Sequence, residues 1–183
     1  SASIGVTLYP QDNADADQLV RHADQAMYLA KQAGKNRFHL FDVAQDAAIQ
    51  SQRESLEHIR VALDRQEFVL YYQPKVNMRT GAIIGAEALI RWQHPERGLL
   101  APAAFLPVIE GQPISIEIGE WVIQTALAQM ALWRGAGLDI GVSVNIGALQ
   151  LQQPGFVARL GTLLAAHPTV PAQSLELEIL ETS

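Results

Sequence analysis

No cysteine occurs in the 183 residues, which excludes disulfides and thiolate metal sites. No apolar run approaches the roughly 18 residues that span a bilayer, so no membrane contact is expected from this segment. Charge of one sign is not in large excess: 13 basic residues face 19 acidic ones, for a net charge of -6. Nothing global therefore attracts a nucleic-acid polymer or an anionic membrane. The five histidines, His22, His39, His58, His94 and His167, are scattered without metal-ligand spacing, which favours structural or loop roles. No internal repeat and no signal peptide is evident. The chain starts inside one strand-like segment and stops just after another, so both ends are expected to be cut from something longer.

What is present is an ordinary globular composition, 49% hydrophobic and 17% charged. The first 42 residues read as strand, helix, strand. Ser3 to Tyr9 is a short β run ended by the turn cluster Pro10-Gln11-Asp12-Asn13. Asp15 to Ala33 carries Leu19, His22, Ala23, Ala26, Met27 and Ala30 at helical spacing, with Gly34 as a stop. Arg37 to Phe41 is a second strand. Three elements are too few to bury a core alone. Residues 43–54 are expected to be a linker, and Ser51-Gln-Arg-Glu54 fits a capping box for a helix carrying Leu56, Ile59, Ala62 and Leu63.

From Glu67 onward the elements alternate. Strands are expected at Phe68 to Val76, Ala82 to Trp92, Leu138 to Asn145 and Leu175 to Ile179. Helices are expected at Phe105 to Glu110, Ile118 to Gly135 and Phe156 to His167. The first two strands are joined only by a turn and could form a hairpin. The rest of the pattern argues an α/β fold with a parallel sheet.

Glu87 lies inside the β-prone run GAIIGAEALIRW, where a carboxylate is costly to bury without a partner. Strand periodicity places it on one face with Leu89 and Arg91, opposite Ala86, Ala88 and Ile90. Asn145 is late in the third strand and Glu178 is in the fourth. In α/β barrels functional residues gather at the C-terminal strand ends. Two carboxylates and an amide oxygen are hard donors, suited to Mg²⁺ or Mn²⁺ rather than zinc. Each has a plainer alternative. Glu87 could pair with Arg91, Asn145 could close a turn with Gly147, and Glu178 could line a wet sheet face with Glu176. Their common placement favours a metal site.

Two family resemblances follow. Ser3-Ile4-Gly5-Val6, Tyr9-Pro10, Ala23-Asp24-Gln25-Ala26-Met27-Tyr28 and Ala30-Lys31-Gln32-Ala33-Gly34-Lys35-Asn36 resemble the C-terminal part of a GGDEF (diguanylate cyclase) domain. That resemblance assigns residues 1–42 to a GGDEF remnant and makes Lys31 and Lys35 phosphate contacts, with Lys35 where an arginine is usual. The GGDEF signature itself is not in the chain, so cyclase activity is not expected of it.

Residues 55–183 resemble the N-terminal half of an EAL domain, a cyclic-di-GMP phosphodiesterase with a TIM-like barrel. The carrying residues are Tyr72-Gln73-Pro74-Lys75, Glu87-Ala88-Leu89-Ile90-Arg91-Trp92, His94-Pro95, Phe105-Leu106-Pro107, Ile118-Gly119-Glu120-Trp121-Val122, Val144-Asn145 with Gln150, and Leu175-Glu176-Leu177-Glu178-Ile179 with Glu181. The fold expected is thus a partial TIM-like (β/α) barrel of EAL type, preceded by the last strand-helix-strand of a GGDEF α/β domain.

The resemblance implies that Glu87, Asn145 and Glu178 ligate Mg²⁺ or Mn²⁺, with two ions in an intact domain. It makes Glu87, Glu178 and Glu181 catalytic, with Glu181 ordering the loop that follows or supporting the metal shell. Arg91 would hold a phosphate of cyclic-di-GMP, Gln73 would contact its guanine end, and Leu89 would pack in the pocket. Gly147 and Leu180 stand where the family has serine and threonine, and Gly111-Gln112-Pro113 replaces its acidic, glycine-ended turn; none of these removes a ligand. The segment is expected to be cytoplasmic, with any membrane anchor outside these residues, and to allow a homodimer through the EAL domain. The family's paired aspartates and catalytic lysine would lie beyond Ser183, so the chain by itself is expected to be inactive. A catalytically silent cyclic-di-GMP receptor and a barrel glycosidase using Glu87 and Glu178 are the competing readings.

Overall fold

The computed structural model describes residues 2–179. They form two compact units, Ser1–Ser55 and Leu56–Ser183.

In the first unit, β1 (Ile4–Val6) pairs in parallel with β2 (Phe38–Leu40), and α1 (Ala16–Gln32) crosses between them. Asp15 caps α1 by accepting the Gln18 N–H at 2.8 Å. Gly34, at φ +106°, ends it in the left-handed region that favours glycine. Gly5 is dictated by contact: a Cβ there would sit 1.8 Å from the Ala23 carbonyl oxygen and 2.4 Å from the Met27 nitrogen. Strand β1 therefore rests directly on the α1 backbone. Buried Asp12 accepts from the Thr7 hydroxyl at 2.6 Å and pairs with His22 Nδ1 at 2.7 Å. The His22 ring stacks on Phe41 at 4.1 Å.

Helix α2 runs unbroken over Val43–Asp64, straight through the Ser51–Glu54 segment that fits a capping box. Asp42 offers an earlier cap, accepting the N–H groups of Ala44 and Gln45. Ser51 therefore lies inside the helix, where its carbonyl accepts from Ser55.

The second unit begins with the hairpin of β3 (Phe68–Val76) and β4 (Ile83–His94). Asn77 sets the turn by accepting the N–H groups of Arg79 and Thr80, and Gly81 supplies φ +72°. A short strand missing from the sequence reading, β5 (Gly98–Leu100), folds back on the end of β4. Next come α3 (Leu106–Ile109), α4 (Ile114–Gly135), β6 (Gly141–Ile146), α5 (Ala148–Leu151), α6 (Phe156–Ala165) and β7 (Leu175–Ile179). Strands β4, β6 and β7 are parallel, giving the order β3-β4-β6-β7. Strand β6 starts three residues later than Leu138 because the Leu138 N–H bonds back to the Trp133 carbonyl and closes α4.

The sheet has two unlike faces. Ala88, Ile90, Trp92, Val142, Val144 and Ile146 are buried against α4, which contributes Ile118, Val122, Ile123, Ala126, Leu127 and Met130. At about 25 cal/mol per Å² of apolar surface, this layer is the main source of the unit's stability. Alternation sends Gln73, Lys75, Glu87, Arg91, Ser143, Asn145, Glu176 and Glu178 to the other face. That polar face is concave. Lys75 on β3 reaches Glu176 and Glu178 on β7 although two strands lie between. In a flat sheet three strand spacings would separate them by about 14 Å.

Candidate functional site

The register of the sheet builds the polar face row by row. Gln73 pairs opposite Glu87, Glu87 opposite Ser143, and Ser143 opposite Glu176. In the next row Tyr71 faces Leu89 on β4, and Asn145 faces Glu178 across β6 and β7. Asn145 joins the two rows: its Nδ2 donates to Glu87 Oε1 at 2.9 Å. Its own Oδ1 is therefore turned away from Glu87 and remains an acceptor. Two carboxylates and one amide oxygen thus come from three adjacent parallel strands.

Of the plainer alternatives, two are replaced by other contacts. Glu87 takes Asn145 as its partner, not Arg91. Asn145 spends its amide on Glu87, not on a turn with Gly147. The third is observed in part, because Glu176 and Glu178 do share the wet face. Arg91 donates to the Ile90 carbonyl at 2.9 Å and lies over the Tyr71 ring at 5.8 Å. Leu89 is half-buried and Gln73 is exposed, both on the same face as Glu87. Lys31 is in the last turn of α1, and Lys35 follows Gly34 at φ +61°; both are exposed. Glu181 lies outside the described residues. His94 has the loop role expected of it, accepting the N–H groups of Glu96 and Arg97.

The sequence alone assigns no site role to three further residues. Lys75 Nζ donates to Glu178 Oε1 at 2.6 Å and to Glu176 Oε2 at 3.1 Å. Its ammonium holds the Glu178 carboxyl below the usual carboxylate range, and Glu178 in turn holds the ammonium above its own. Ser143 also helps to lower Glu178, but its hydroxyl is fully buried and not aligned for a normal hydrogen bond with any described residue. Tyr71 offers Arg91 an aromatic face. Period-two counting from Gln73 would have found Tyr71 and Lys75, since 71, 73 and 75 share a face.

No three histidine, aspartate or glutamate side chains converge as a metal cluster among the described residues. The candidate set instead holds two acids and one amide. These are hard oxygen donors of the kind Mg²⁺ and Mn²⁺ take. A cation is already drawn to them in the form of Lys75. The residues present fit a divalent ion on those two grounds.

On the opposite side of the sheet, burial pushes the Tyr72 hydroxyl up to about 12. Its oxygen has no partner among the described residues.

An open, curled α/β sheet with a polar concave face defines a barrel-type domain with its site on the strands. Residues 56–183 match the EAL domain and residues 1–37 match the diguanylate cyclase GGDEF domain, so the chain belongs to the EAL domain family. It is 42% identical over its whole length to the bifunctional diguanylate cyclase/cyclic di-GMP phosphodiesterase MucR of Pseudomonas aeruginosa, covering 27% of that protein. It is 38% identical over 90% of its length to the cyclic di-GMP phosphodiesterase PdeR of Escherichia coli, covering 25% of it. The chain thus spans about a quarter of these relatives. Among solved structures, the PaMucR phosphodiesterase in complex with c-di-GMP is 42% identical, with a TM-score of 0.66 over 70% of this chain and 52% of that one. The EAL enzyme Bd1971 with cAMP and cyclic-di-GMP bound gives 0.69 at 30% identity, over 91% and 44%. These neighbours are EAL domains, whose fold is a TIM-like barrel.

Proposed function

We propose that residues 56–183 carry the first half of the active site of a cyclic-di-GMP phosphodiesterase, which hydrolyses the cyclic dinucleotide to pGpG. The observation that carries this reading is the Glu87–Asn145 hydrogen bond, with Glu178 in register beside Asn145. Hard donors on three neighbouring strands are what a divalent-metal phosphodiesterase needs at its strand ends. The likeness to a phosphodiesterase solved with c-di-GMP supports the substrate class.

In this reading Glu87, Asn145 and Glu178 hold Mg²⁺ or Mn²⁺, with two ions in an intact domain. Bound there, the metal would supply a nucleophile at neutral pH and neutralise charge at the phosphorus. The chain's own residues do the positioning. Asn145 orients Glu87 and so fixes the oxygen that faces the site. Arg91 presents a guanidinium fork to a phosphate, steadied by the Tyr71 ring and the Ile90 carbonyl. Leu89, between Glu87 and Arg91 on the same face of β4, would pack in the pocket, exposed Gln73 would contact the guanine end, and Glu181 would order the loop that follows or support the metal shell. Lys31 and Lys35 belong to the GGDEF portion, where they would contact phosphate.

The proposed partition is 1–42 for the GGDEF remnant, 43–54 for a linker and 55–183 for the EAL portion. The linker in this reading is the first half of α2 and is helical. No described helix is long and apolar enough to cross a membrane. The dinucleotide is the partner, and a second copy of the EAL domain is the assembly to test by sedimentation.

The reading is tested in a polypeptide that carries these residues within an EAL domain of full family length. Calorimetry with cyclic-di-GMP is followed by turnover with Mg²⁺. Binding and Mg²⁺-dependent release of pGpG are expected, and the release should be lost in Glu87→Gln. Binding without turnover would select a silent receptor. Failure to bind would remove both.

A further inference from the structure

We propose that Lys75 is a built-in counter-cation of this site, whose ammonium must leave Glu178 before a divalent ion can take that carboxylate. It matters only if Glu178 ligates a metal, and to that extent the inference rests on the metal-site reading above.

Three observations carry it. First, Lys75 does not end on one carboxylate but on two, Glu178 at 2.6 Å and Glu176 at 3.1 Å. These acids are two residues apart on one face of β7, where they would repel each other without a cation. Second, the lysine stem runs alongside two glycines, at ordinary contact distance from the nearer one. Lys75 is in register with Gly85, and Gly85 with Gly141. A Cβ on Gly85 would lie 4.0 Å from Lys75 Cδ and 3.1 Å from the Gly141 carbonyl oxygen. Two glycines side by side leave a trough in the polar face, and the stem runs beside it toward β7. Third, the pair is about one-third exposed, with side-chain exposures of 35% for Lys75 and 36% for Glu178. Such a pair is held weakly enough to be exchanged.

Lysine is suited to the part. A compact ammonium on a flexible stem can swing out, whereas a guanidinium fork would grip both carboxylates at once. A divalent ion taken by the Glu178 oxygen that Nζ now holds would displace the ammonium, because two cations at one carboxylate oxygen repel. Before metal arrives, the ammonium holds the two acids together. Once metal arrives, Lys75 is released toward solvent or to Glu176 alone. Lys75 is therefore a positioning residue that sets how much metal the site needs.

The test is Mn²⁺ affinity of a polypeptide that carries these residues within an EAL domain of full family length, measured by the loss of the free-ion EPR signal, with magnesium competition as a second reading. Lys75→Met should tighten Mn²⁺ binding by about two- to five-fold, as expected from removing a competing exposed ion pair. Lys75→Arg should bind Mn²⁺ no better than the parent. Arg79→Met, which removes a cation from the hairpin turn away from the acids, should change affinity by less than about 1.5-fold, so that a general charge effect is recognised. Circular dichroism checks that each variant is folded, and Lys75→Gln serves if the methionine variant is not. Unchanged or weaker binding in Lys75→Met, with Mn²⁺ still lost in Glu87→Gln, overturns the role of Lys75 and leaves the metal site standing. Absence of Mn²⁺ binding in the parent and in Lys75→Met overturns the metal-site reading and the role of Lys75 with it.

Discussion

Glu87 shows how one side chain can be made tolerable and useful at once. A half-buried carboxylate in an apolar strand needs a donor, and Asn145 supplies it at 2.9 Å. Replacing Asn145 with leucine removes that donor and one candidate oxygen ligand together. Asn145→Leu is expected to lower Mn²⁺ affinity by at least about tenfold. It should also cost about 1–2 kcal/mol of stability, because Glu87 loses its partner. Calorimetry and urea unfolding read the two effects separately. Tyr72 is the opposite case, a buried hydroxyl without a partner among the described residues, packed edge-on against Trp133. Tyr72→Phe keeps the ring and drops the orphan oxygen, so urea unfolding should show stability unchanged or raised by about 1 kcal/mol. Asp12 gives a pH dependence. The Thr7 hydroxyl, and after it His22, hold its carboxyl below the ordinary value of 3.8. A depressed folded-state value means its contribution is fully present above 3.8 and is lost as pH falls through the folded value. The melting point of the first unit should therefore drop below about pH 4. Asp12→Asn should flatten that drop in an acid titration followed by circular dichroism.

At the scale of elements, strand and helix are locked by close approach in one place and by patterning in the other. Strand β1 lies on the backbone of α1, with no room for a Cβ at Gly5. Gly5→Ala cannot be accommodated by rotating a side chain, since the obstructing atoms are backbone. Its cost should reach or exceed the roughly 3 kcal/mol of ordinary overpacking. Hydrogen exchange should show α1 losing protection while α4 keeps its own. The hairpin, α4 and the four longer strands were legible because each has a clear period and a turn signal. Strand β5 and helix α5, of three and four residues, carry too few positions for any period to show. The capping box at Ser51 was misleading because a local motif can be outbid by a better cap nine residues earlier, at Asp42.

At the scale of the molecule, the sheet is curled but open. The chain covers 52% of the solved PaMucR phosphodiesterase chain. A barrel-end site draws residues from strands all round the barrel. The 183-residue chain purified alone is therefore expected to release no pGpG from cyclic-di-GMP, as checked by chromatography of the products with Mg²⁺ present. Metal binding and turnover separate at this scale. The three candidate ligands lie on strands that are present, whereas a complete site needs strands that are not in this chain.

The sequence by itself determined the strands, the faces of those strands and the identity of the hard donors, because period-two alternation is a local property. Glu87, Leu89 and Arg91 had to share a face wherever the strand was placed. Family resemblance, carried by ordered motifs, added the chemistry. Which residues meet across strands was decided only by the tertiary structure. Register put Asn145 beside both Glu87 and Glu178, and curvature brought Lys75 across two strands to Glu178. Register and curvature depend on how the whole sheet packs on α4, and no window of sequence contains that information.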